Sequence, residues 1–376
     1  MKLLFIIRDV HGWAGTERVT SLIANALAES HTVEVLSLSQ KPTTQVSKEH
    51  TQERTQTLTK KLIAQLPQGY SYQPSIEISY IPARNDMLNL CITTIKIAHH
   101  LAKGNYDVVV LSGVGEIKFL LGAIHFCRSK FVAWEHFNAA HTHKRVNRKV
   151  AARLCDAIVV LTKADADDWQ RYLHPHGRIA YIPNPLAEMP ALPSILSEKR
   201  VLALGRLEEQ KRFDLLIEAF SLMHREYPDW HLRIRGSGSK EPVLRQFIQE
   251  LELTSAVEIL PPVTDVASEY REASIYALSS KFEGFPMTLV EAMSFGIPCV
   301  SFNCPNGPDE IIADGDDGFI VPYDDVPGFA TAMIQLAEDP TLRHQMGQRA
   351  RQHIQRFDLA HIQVLWEDLI DQLCQK

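Results

Sequence analysis

Residues Lys281–Pro298 read KFEGFPMTLVEAMSFGIP, and this stretch predicts a loop that leads into a short helix. Pro286 suits the first helical position, because proline loses no helical hydrogen bond there, and Gly296 with Pro298 signals the end. Nearly every side chain between these signals is apolar, which is typical of a helix buried on all sides. Glu291 lies in the middle of this helix, so its carboxylate needs a partner or a ligand.

A second carboxylate, Glu283, precedes Glu291 by eight residues and lies in the loop before the predicted helix. Exposed N–H groups and the helix dipole attract anions at such an N-terminus. Eight residues at helical rise span roughly 12 Å, whereas the two carboxylates of a glycosidase lie about 5–9.5 Å apart. The two glutamates would suit the two ends of one elongated, negatively charged ligand such as a nucleotide sugar. The spacing alone slightly favours the simpler interpretation, a buried helix with one salt-bridged glutamate and one exposed glutamate.

The composition is that of an ordinary soluble globular protein, and 376 residues are enough for two domains. The net charge of −6 argues against a nucleic-acid partner. The six cysteines are scattered without a C-x-x-C pair, which indicates reduced cytosolic thiols and no zinc site. The N-terminal apolar run is too short for a signal sequence, and no apolar run approaches the ~20 residues of a membrane span. We therefore expect any membrane contact to be peripheral.

Strands and helices alternate along the chain in two similar series. The first series predicts strands at 3–7, 32–38, 76–81, 107–112, 130–134 and 157–161, with helices from about 16 and around 86–103, 115–128, 144–154 and 163–173. The second series predicts strands at 200–204, 230–235, 256–260, 274–278, 297–302 and 318–321, and then a helical stretch over 340–375 that breaks near 357–358. Such alternation predicts an α/β protein with two parallel sheets, each covered on both faces.

A proline-rich segment, Pro183–Pro193, separates the two series. We therefore predict two Rossmann-like domains that face a cleft, over 1–183 and 184–357, followed by a last helix over 358–376. Ligands of such sheets bind at the carboxyl ends of the strands, so residues that directly follow strands are candidates for the cleft. The polar segment 41–61 is predicted to be a long loop.

Two cations follow the first strand of the second series, Arg206 directly and Lys211 five residues later. Arginine offers a planar fork to a phosphate and lysine offers a mobile point charge. Together they are able to neutralise a pyrophosphate without a metal ion, although a solvated loop is the alternative for these cations taken alone. Gly236 follows another strand and would let the backbone approach a ligand, but glycine turns after strands are common.

The first domain offers further candidates after its strands. Gly15 and Thr16 close the turn after the first strand, where their amides would meet the distal phosphate. Trp13 in that turn would stack on an acceptor sugar or simply pack. Glu135 and His136 follow a later strand and are expected at the cleft, where the histidine is either a hydrogen-bond donor to a hexose or a structural residue.

A basic helix follows this strand and contains Lys144, Arg145, Arg148, Lys149 and Arg153. Three of these cations share one face at four-residue spacing. A solvated face is the simpler interpretation, and attraction to anionic lipid head groups or a lipid diphosphate acceptor is the alternative. His141 and His143 precede the helix, but no carboxylate or cysteine spacing completes a metal site, so none is predicted. The turn 303–310 is expected to form a wall of the same pocket.

The E-x7-E spacing of Glu283 and Glu291, the surrounding EGFPMTLVEAMSFGIPCV and the GR-x4-K motif that ends at Lys211 resemble the retaining glycosyltransferases of family 4. The resemblance covers essentially the whole chain. It implies the GT-B fold, with an N-terminal acceptor-side domain, a C-terminal nucleotide-sugar domain and a last helix that packs back on the first. A tight Gly-Gly pair of the family is replaced here by Ala14-Gly15.

The resemblance also implies roles for single residues. Arg206 and Lys211 would hold the donor pyrophosphate, Glu291 would bind the ribose hydroxyls, and Glu283 would bind the hydroxyls of the donor sugar. The predicted catalytic residues are Glu283, Arg206, Lys211 and His136. The residues predicted to contact the nucleotide sugar are Gly15, Thr16, Gly236, Gly284, Phe285, Met287, Thr288 and Glu291.

The segments EGFPMTLVEA and CPNGPDEII are most similar to bacterial enzymes that build lipopolysaccharide, capsule or exopolysaccharide. This implies a cytoplasmic, metal-independent hexosyltransferase without a cofactor. Its donor would be UDP-galactose, UDP-N-acetylgalactosamine or UDP-glucose, and its acceptor a growing surface glycan or a lipid-linked oligosaccharide. Two alternatives remain: another catalyst on this fold, such as a UDP-sugar epimerase or hydrolase, and a non-catalytic nucleotide-sugar-binding protein.

Overall fold

A computed structural model of the chain describes residues 1–12, 15–41, 70–83, 87–124, 127–137, 145–305 and 307–375. The chain divides into two compact units. Unit 1 comprises Met1–Val160, Ala166–Pro185 and Ile362–Lys376, and unit 2 comprises Leu161–Asp165 and Leu186–His361. Almost all of the predicted loop 41–61 lies outside the described residues, as do Trp13, Ala14, His141, His143 and Lys144.

Unit 1 is built on a parallel seven-stranded sheet of order β3-β2-β1-β4-β5-β6-β7. Its strands are β1 (Lys2–Ile7), β2 (Thr32–Ser37), β3 (Glu77–Tyr80), β4 (Val108–Leu111), β5 (Lys130–Trp134), β6 (Ala157–Val160) and β7 (Arg178–Tyr181). The described helices between them are α1 (Gly15–Leu27), α2 (Met87–Gly104), α3 (Arg145–Leu154) and α4 (Lys163–Leu173). The central strands β1, β4 and β6 are almost wholly buried, as expected of strands covered on both faces.

The six strands predicted for this unit are confirmed to within two residues at each end. β7 was not predicted, because its four residues are partly exposed and form no apolar run. The helix predicted at 115–128 is wrong: the structure has a short 3-10 helix over Val114–Phe119 instead. Its buried residues are Val114, Ile117 and Phe119, and the turns that follow bury Leu120, Ala123 and Ile124. Apolar residues at spacings of three and four fit a 3-10 helix followed by turns as well as an α-helix, so the pattern does not distinguish the two.

Unit 2 is built on a parallel six-stranded sheet of order β10-β9-β8-β11-β12-β13. Its strands are β8 (Arg200–Leu204), β9 (His231–Arg235), β10 (Val257–Leu260), β11 (Ile275–Leu278), β12 (Cys299–Asn303) and β13 (Gly318–Pro322). Its described α-helices are α5 (Phe213–Glu226), α6 (Glu241–Glu250), α7 (Val266–Arg271), α8 (Met287–Ser294), α9 (Pro308–Ile311), α10 (Val326–Glu338) and α11 (Pro340–His353). All six strands predicted here are confirmed to within two residues.

The last helix, α12 (Leu359–Cys374), follows unit 2 in the chain but packs into unit 1 from Ile362 onward. Trp366 is fully buried, and its ring centroid lies 4.8 Å from that of Trp134 and 6.4 Å from that of Phe5. The predicted return of the last helix to the first domain is therefore confirmed.

A buried carboxylate, Glu34 of β2, forms a polar cluster inside unit 1. It accepts hydrogen bonds from Tyr106 and from Ser79 at 2.9 Å, and its Oε1 lies 3.0 Å from Nε2 of His100. Burial raises the pKa of Glu34, but the hydrogen bonds from His100, Tyr106 and Ser79 outweigh burial and lower the pKa from 4.5 to about 2. Because the folded-state pKa lies below the unfolded value, Glu34 stabilises the fold at neutral pH.

We expect this stabilisation, up to about 3 kcal/mol, to disappear as the pH falls from about 5 towards 2. Urea unfolding at a series of pH values measures the effect. The free energy of unfolding should fall more steeply with decreasing pH in the wild type than in Glu34→Gln. Parallel curves for the two proteins would show that Glu34 has no role in acid stability.

Candidate functional site

The strand order of unit 2 reverses between β8 and β11, which lie side by side in the sheet. The loops that follow two such strands diverge and leave a crevice at the carboxyl edge, where ligands of open α/β sheets bind. Arg206 and Lys211 lie in the loop after β8, and Glu283 lies in the loop after β11. Three predicted site residues from distant parts of the sequence therefore come together at this edge.

Lys211 and Glu283 form an ion pair at the centre of this arrangement. Nζ of Lys211 donates to Oε1 of Glu283 at 2.7 Å, and the two side chains are 14% and 10% exposed. A pair so shielded from water holds both groups in place more firmly than a surface pair does. Glu283 is thus buried and paired, although the sequence alone left it in a loop that could have been exposed.

Hydrogen bonds tie together the two loops that carry this pair. The Gln210 side chain donates to the Phe282 carbonyl at 2.8 Å, and the amide of Lys281 donates to the Gln210 carbonyl at 2.8 Å. The Ser279 hydroxyl donates to the carbonyl of Lys211 at 2.8 Å. The backbone on both sides of the ion pair is therefore fixed before any ligand binds.

The side chain of Arg206 is less restrained by neighbouring residues than that of Lys211. It is exposed, and its guanidinium makes only a long hydrogen bond of 3.4 Å to the side chain of Gln210. In the described ranges of the chain it forms no ion pair. The site thus combines one restrained ammonium with one mobile guanidinium, and the second is suited to follow an incoming anion.

Gly236 has a packing role that the sequence did not indicate. A Cβ at this position would lie 1.8 Å from the carbonyl oxygen of Gly205, and a Cβ at Gly238 would lie 2.4 Å from that of Leu207. The two glycines let the loop after β9 pack backbone against backbone on the loop that carries Arg206. A direct contact of Gly236 with a ligand stays a prediction.

The helix that follows Glu283 largely matches the prediction. α8 begins at Met287, because Pro286 is the N-cap residue with φ −75° and ψ 87° and not the first helical residue. Gly296 has a φ of +73°, and hydrogen bonds from its amide and from that of Ile297 close the helix in a Schellman motif. A residue with a side chain is disfavoured at this φ, so the predicted stop signal is confirmed.

The N-terminus of α8 presents backbone amides. The first helical hydrogen bond runs from Leu289 to the Pro286 carbonyl at 2.9 Å, so the amides of Met287 and Thr288 precede it. An anion here would meet these N–H groups and the positive end of the helix dipole. Gly284 and Phe285 form the turn before the helix, and the ring of Phe285 packs edge-on against that of Phe357 at 5.3 Å.

Glu291 is half-buried on α8 and has a protein partner that the sequence did not indicate. The hydroxyl of Tyr270 donates to Oε2 of Glu291 at 2.8 Å. The ring of Tyr270 is buried and stacks on Phe295 at 5.2 Å between centroids. This contact orients the carboxylate, and no local pattern could have revealed it, because Tyr270 lies 21 residues earlier in the chain.

The remaining predicted residues belong to unit 1. Gly15 begins α1 and is exposed, and a Cβ there would meet no atom within 4 Å. Thr16 follows it and is half-buried. His136 follows β5, is 8% exposed and packs against Trp134 with the ring centroids 4.6 Å apart. Their predicted contacts with a ligand remain predictions.

The surroundings of Glu135 and Arg148 differ from the predicted ones, which were the cleft for Glu135 and a solvated helix face for Arg148. Nε of Arg148 donates to Oε2 of Glu135 at 2.6 Å, and both side chains are only 1% exposed. Arg148 therefore points into unit 1 and is not part of a solvated face, because its position on α3 lies on the same side as the buried Ala151 and Ala152. Of the other cations of α3, Lys149 and Arg153 are exposed.

The described residues contain neither a metal-binding cluster nor a membrane-spanning helix. In these ranges no three or more His, Cys, Asp or Glu side chains are grouped so as to hold a metal ion. None of the described helices combines the length and the apolar character needed to cross a membrane.

The two halves of the chain match two family models. Residues 13–187 match the model described as Glycosyltransferase Family 4, and residues 187–353 match the model described as Glycosyl transferases group 1. The boundary between the matches falls at the proline-rich segment that separates the two sheets.

Relatives and solved structures agree with these matches over nearly the whole length. An uncharacterized glycosyltransferase of Haemophilus influenzae is 28% identical, with 98% of this chain and 99% of the relative covered. A GalNAc-alpha-(1->4)-GalNAc-alpha-(1->3)-diNAcBac-PP-undecaprenol alpha-1,4-N-acetyl-D-galactosaminyltransferase of Campylobacter jejuni is 24% identical, with 98% of each chain covered. The crystal structure of Anabaena HepE in complex with UDP and glucose has a TM-score of 0.78 at 18% identity, with 99% of this chain and 100% of that chain covered. The predicted GT-B fold is confirmed.

Proposed function

The chain belongs to the family 4 glycosyltransferases, and from that membership we propose that it is a retaining enzyme that moves a hexose from a UDP-sugar. The proposed donors are UDP-galactose, UDP-N-acetylgalactosamine and UDP-glucose. The proposed acceptor is a growing surface glycan or a lipid-linked oligosaccharide. In support, the Campylobacter relative is named for transfer to an undecaprenol-linked glycan, and the Anabaena structure contains UDP and glucose.

The contact between Lys211 and Glu283 is the observation that best supports a nucleotide-sugar site. In a nucleotide sugar the hexose is bonded directly to the distal phosphate, so the groups that bind these two parts must be neighbours. A cation in contact with a carboxylate meets this requirement: Lys211 would hold the phosphate and Glu283 the sugar hydroxyls. Glu291, oriented separately by Tyr270, would bind the ribose hydroxyls at the other end of the donor.

The proposed chemistry depends on departure of the diphosphate. Negative charge grows on the leaving group as the bond to the hexose breaks, and Arg206, Lys211 and the amides of Met287 and Thr288 would stabilise it. Glu283 already accepts a hydrogen bond from Lys211, which suits a role in holding the sugar and not one as a covalent nucleophile. Attack from the face of the leaving group would then retain the anomeric configuration.

Metal independence is part of this proposal. Lys211, Arg206 and a helix N-terminus would supply the positive charge that a divalent ion supplies in other transferases. We expect turnover to persist when EDTA is present. Loss of activity in EDTA that returns with Mg²⁺ or Mn²⁺ would refute this part of the proposal.

We further propose a cytoplasmic location with peripheral contact to an anionic membrane surface through α3. Lys149 and Arg153 are exposed on this helix, and Val146 beside them is 74% exposed. Cations next to an exposed apolar side chain suit the interface of an anionic bilayer. Sedimentation with phosphatidylglycerol vesicles tests this, and Lys149→Glu should reduce the bound fraction.

A donor screen tests the proposed function. Released nucleotide is measured for the common UDP- and GDP-hexoses with a glycan or lipid-linked acceptor extract and without it. We expect acceptor-dependent release of UDP from one UDP-hexose. A preference for GDP-mannose would refute the proposed donor, and interconversion of UDP-hexoses without acceptor would indicate an epimerase.

Gly205 allows a finer test of the position of Lys211. A Cβ at this position would lie 2.8 Å from Cε of Lys211, so Gly205→Ala should displace the ammonium while its charge remains. We expect kcat/KM for the UDP-sugar to fall about tenfold, because a misplaced electrostatic group loses much of its effect. Gly315→Ala is the control, because Gly315 is exposed, also has a positive φ, and a Cβ there would meet no atom within 4 Å. Equal activity of the two variants would contradict the proposed positioning.

A further inference from the structure

Two adjoining cavities lie at the amino-terminal edge of the sheet of unit 1. One has a volume of about 400 Å³ and lies between the end of α3 and the start of β7, and the other has a volume of about 380 Å³ and lies at the start of β5. They share Arg153, Leu154 and Asp156. In this sheet Gly15 and His136 follow the carboxyl ends of their strands, so the cavities open at the opposite edge.

Five of the thirteen described residues that line these cavities are basic. The basic residues that line them are Arg128, Lys130, Arg153, His176 and Arg178. One carboxylate, Asp156, lies among them, and it accepts hydrogen bonds from the Lys130 ammonium and from the Phe131 amide, both at 2.9 Å. The only acidic group that lines the cavities is therefore already engaged.

Three arginines of this lining lack an acidic partner. Within the part of the chain that the structure describes, Arg128, Arg153 and Arg178 form no ion pair, although the protein has a net charge of −6. Arginines of unit 2 such as Arg212 and Arg233 do pair with carboxylates. Cations without an ion-pair partner that are grouped on one surface produce a local positive potential that attracts anions.

Hydrogen bonds hold together the two backbone segments that line the first cavity. The amide of His176 donates to the carbonyl of Ala152 at 2.8 Å, and that of Arg178 donates to the carbonyl of Asp156 at 3.0 Å. A Cβ at Gly177 would lie 2.3 Å from the same Asp156 oxygen, so the two segments touch backbone to backbone. Arg153 and Arg178 therefore belong to backbone segments that are bonded to each other.

We propose that these cavities form a binding site for a phosphate group, separate from the proposed donor site. A guanidinium offers two parallel N–H donors that match two phosphate oxygens, and the volume leaves space for a glycerol or sugar attached to the phosphate. β5 covers about 13 Å from Lys130 to Trp134 at about 3.3 Å per residue, so within unit 1 the site lies well away from His136. The phosphate belongs to an anionic lipid head group or to a soluble phosphorylated compound.

The test uses the full chain with Arg206→Gln, Lys211→Gln and Lys149→Glu in all samples, so that neither the cations of the proposed donor site nor Lys149 of α3 binds the probes. Inorganic phosphate is titrated by calorimetry, and phosphatidylglycerol and phosphatidylcholine vesicles are compared by sedimentation. The test variant is Arg128→Gln/Arg178→Gln, which leaves α3 unchanged. The control variant is Lys103→Gln/Arg171→Gln, which removes the same charge from two exposed positions outside the cavities. Circular dichroism establishes that each variant is folded.

We expect the test variant to bind phosphate at least tenfold more weakly than the parent, while the control variant binds as the parent does. Parallel loss of binding to phosphatidylglycerol vesicles would assign the site to a lipid head group. Retained vesicle binding with lost phosphate binding would assign it to a soluble phosphorylated compound. The proposal is overturned if the parent binds neither probe, or if the two double variants weaken binding equally.

Discussion

Lys211→Ala is expected to lower kcat/KM for the UDP-sugar by about 10²–10³-fold, the usual cost of removing one electrostatic group that stabilises a transition state. The fold should survive, because Lys211 lies in a loop held by the hydrogen bonds of Gln210 and Ser279, and because the Glu283 side chain, 10% exposed, keeps more contact with water than the 1% exposed Glu135. Circular dichroism and steady-state release of UDP measure the two effects. Lys240→Ala is the matched control, since Lys240 forms an exposed ion pair of 2.6 Å with Glu209.

A double-mutant cycle separates the two partners of the ion pair. If Lys211 and Glu283 act as one unit, Lys211→Ala and Glu283→Gln will not be additive, and the double variant will be little worse than either single variant. Turnover of Lys211→Ala at the wild-type rate would refute the site. Full additivity would show that the two residues act separately.

Arg148→Met is expected to destabilise the protein by about 3–5 kcal/mol, because it leaves the carboxylate of Glu135 in the interior without its guanidinium partner. Total stabilities are about 5–15 kcal/mol, so the loss should be plain in urea unfolding. Lys149→Met, at the exposed neighbouring position, should change stability by less than about 0.5 kcal/mol.

The double variant Glu135→Leu/Arg148→Met should recover most of this loss, because removal of both charges leaves neither one unpaired in the interior. The pair also bears on the position of His136. Glu135 accepts a hydrogen bond from the Phe137 amide at 3.1 Å, so it fixes the backbone on both sides of His136. A stability of Arg148→Met within 1 kcal/mol of wild type would contradict our account of the pair.

The pattern of apolar residues was sufficient to predict the strands, and the glycine and proline stop signal was sufficient to predict the end of α8. A buried parallel strand such as Val108–Leu111 is an apolar run, and Gly296 ends a helix through a conformation that other residues avoid. The short 3-10 helix at Val114–Phe119 was mistaken for an α-helix because apolar residues at three-residue spacing resemble the helical pattern. β7 was missed because it is short and partly exposed.

Contacts between distant residues could not be predicted in the same way. The sequence marked Lys211 and Glu283 separately, but their contact depends on the neighbouring positions of β8 and β11 in the sheet. The hydrogen bond from Tyr270 to Glu291 corresponds to no pattern in the neighbouring sequence. Arg148 looked like a surface cation because only the packing of α3 shows which side of the helix is buried.

The affinity ratio between UDP and uridine tests most directly whether the cationic side chains of the site hold the diphosphate of the donor. Calorimetry in EDTA gives both dissociation constants for the wild type and for Lys211→Ala. We predict that the wild type binds UDP much more tightly than uridine, and that Lys211→Ala reduces this ratio at least tenfold while its affinity for uridine is unchanged. An unchanged ratio in the variant would contradict the central claim.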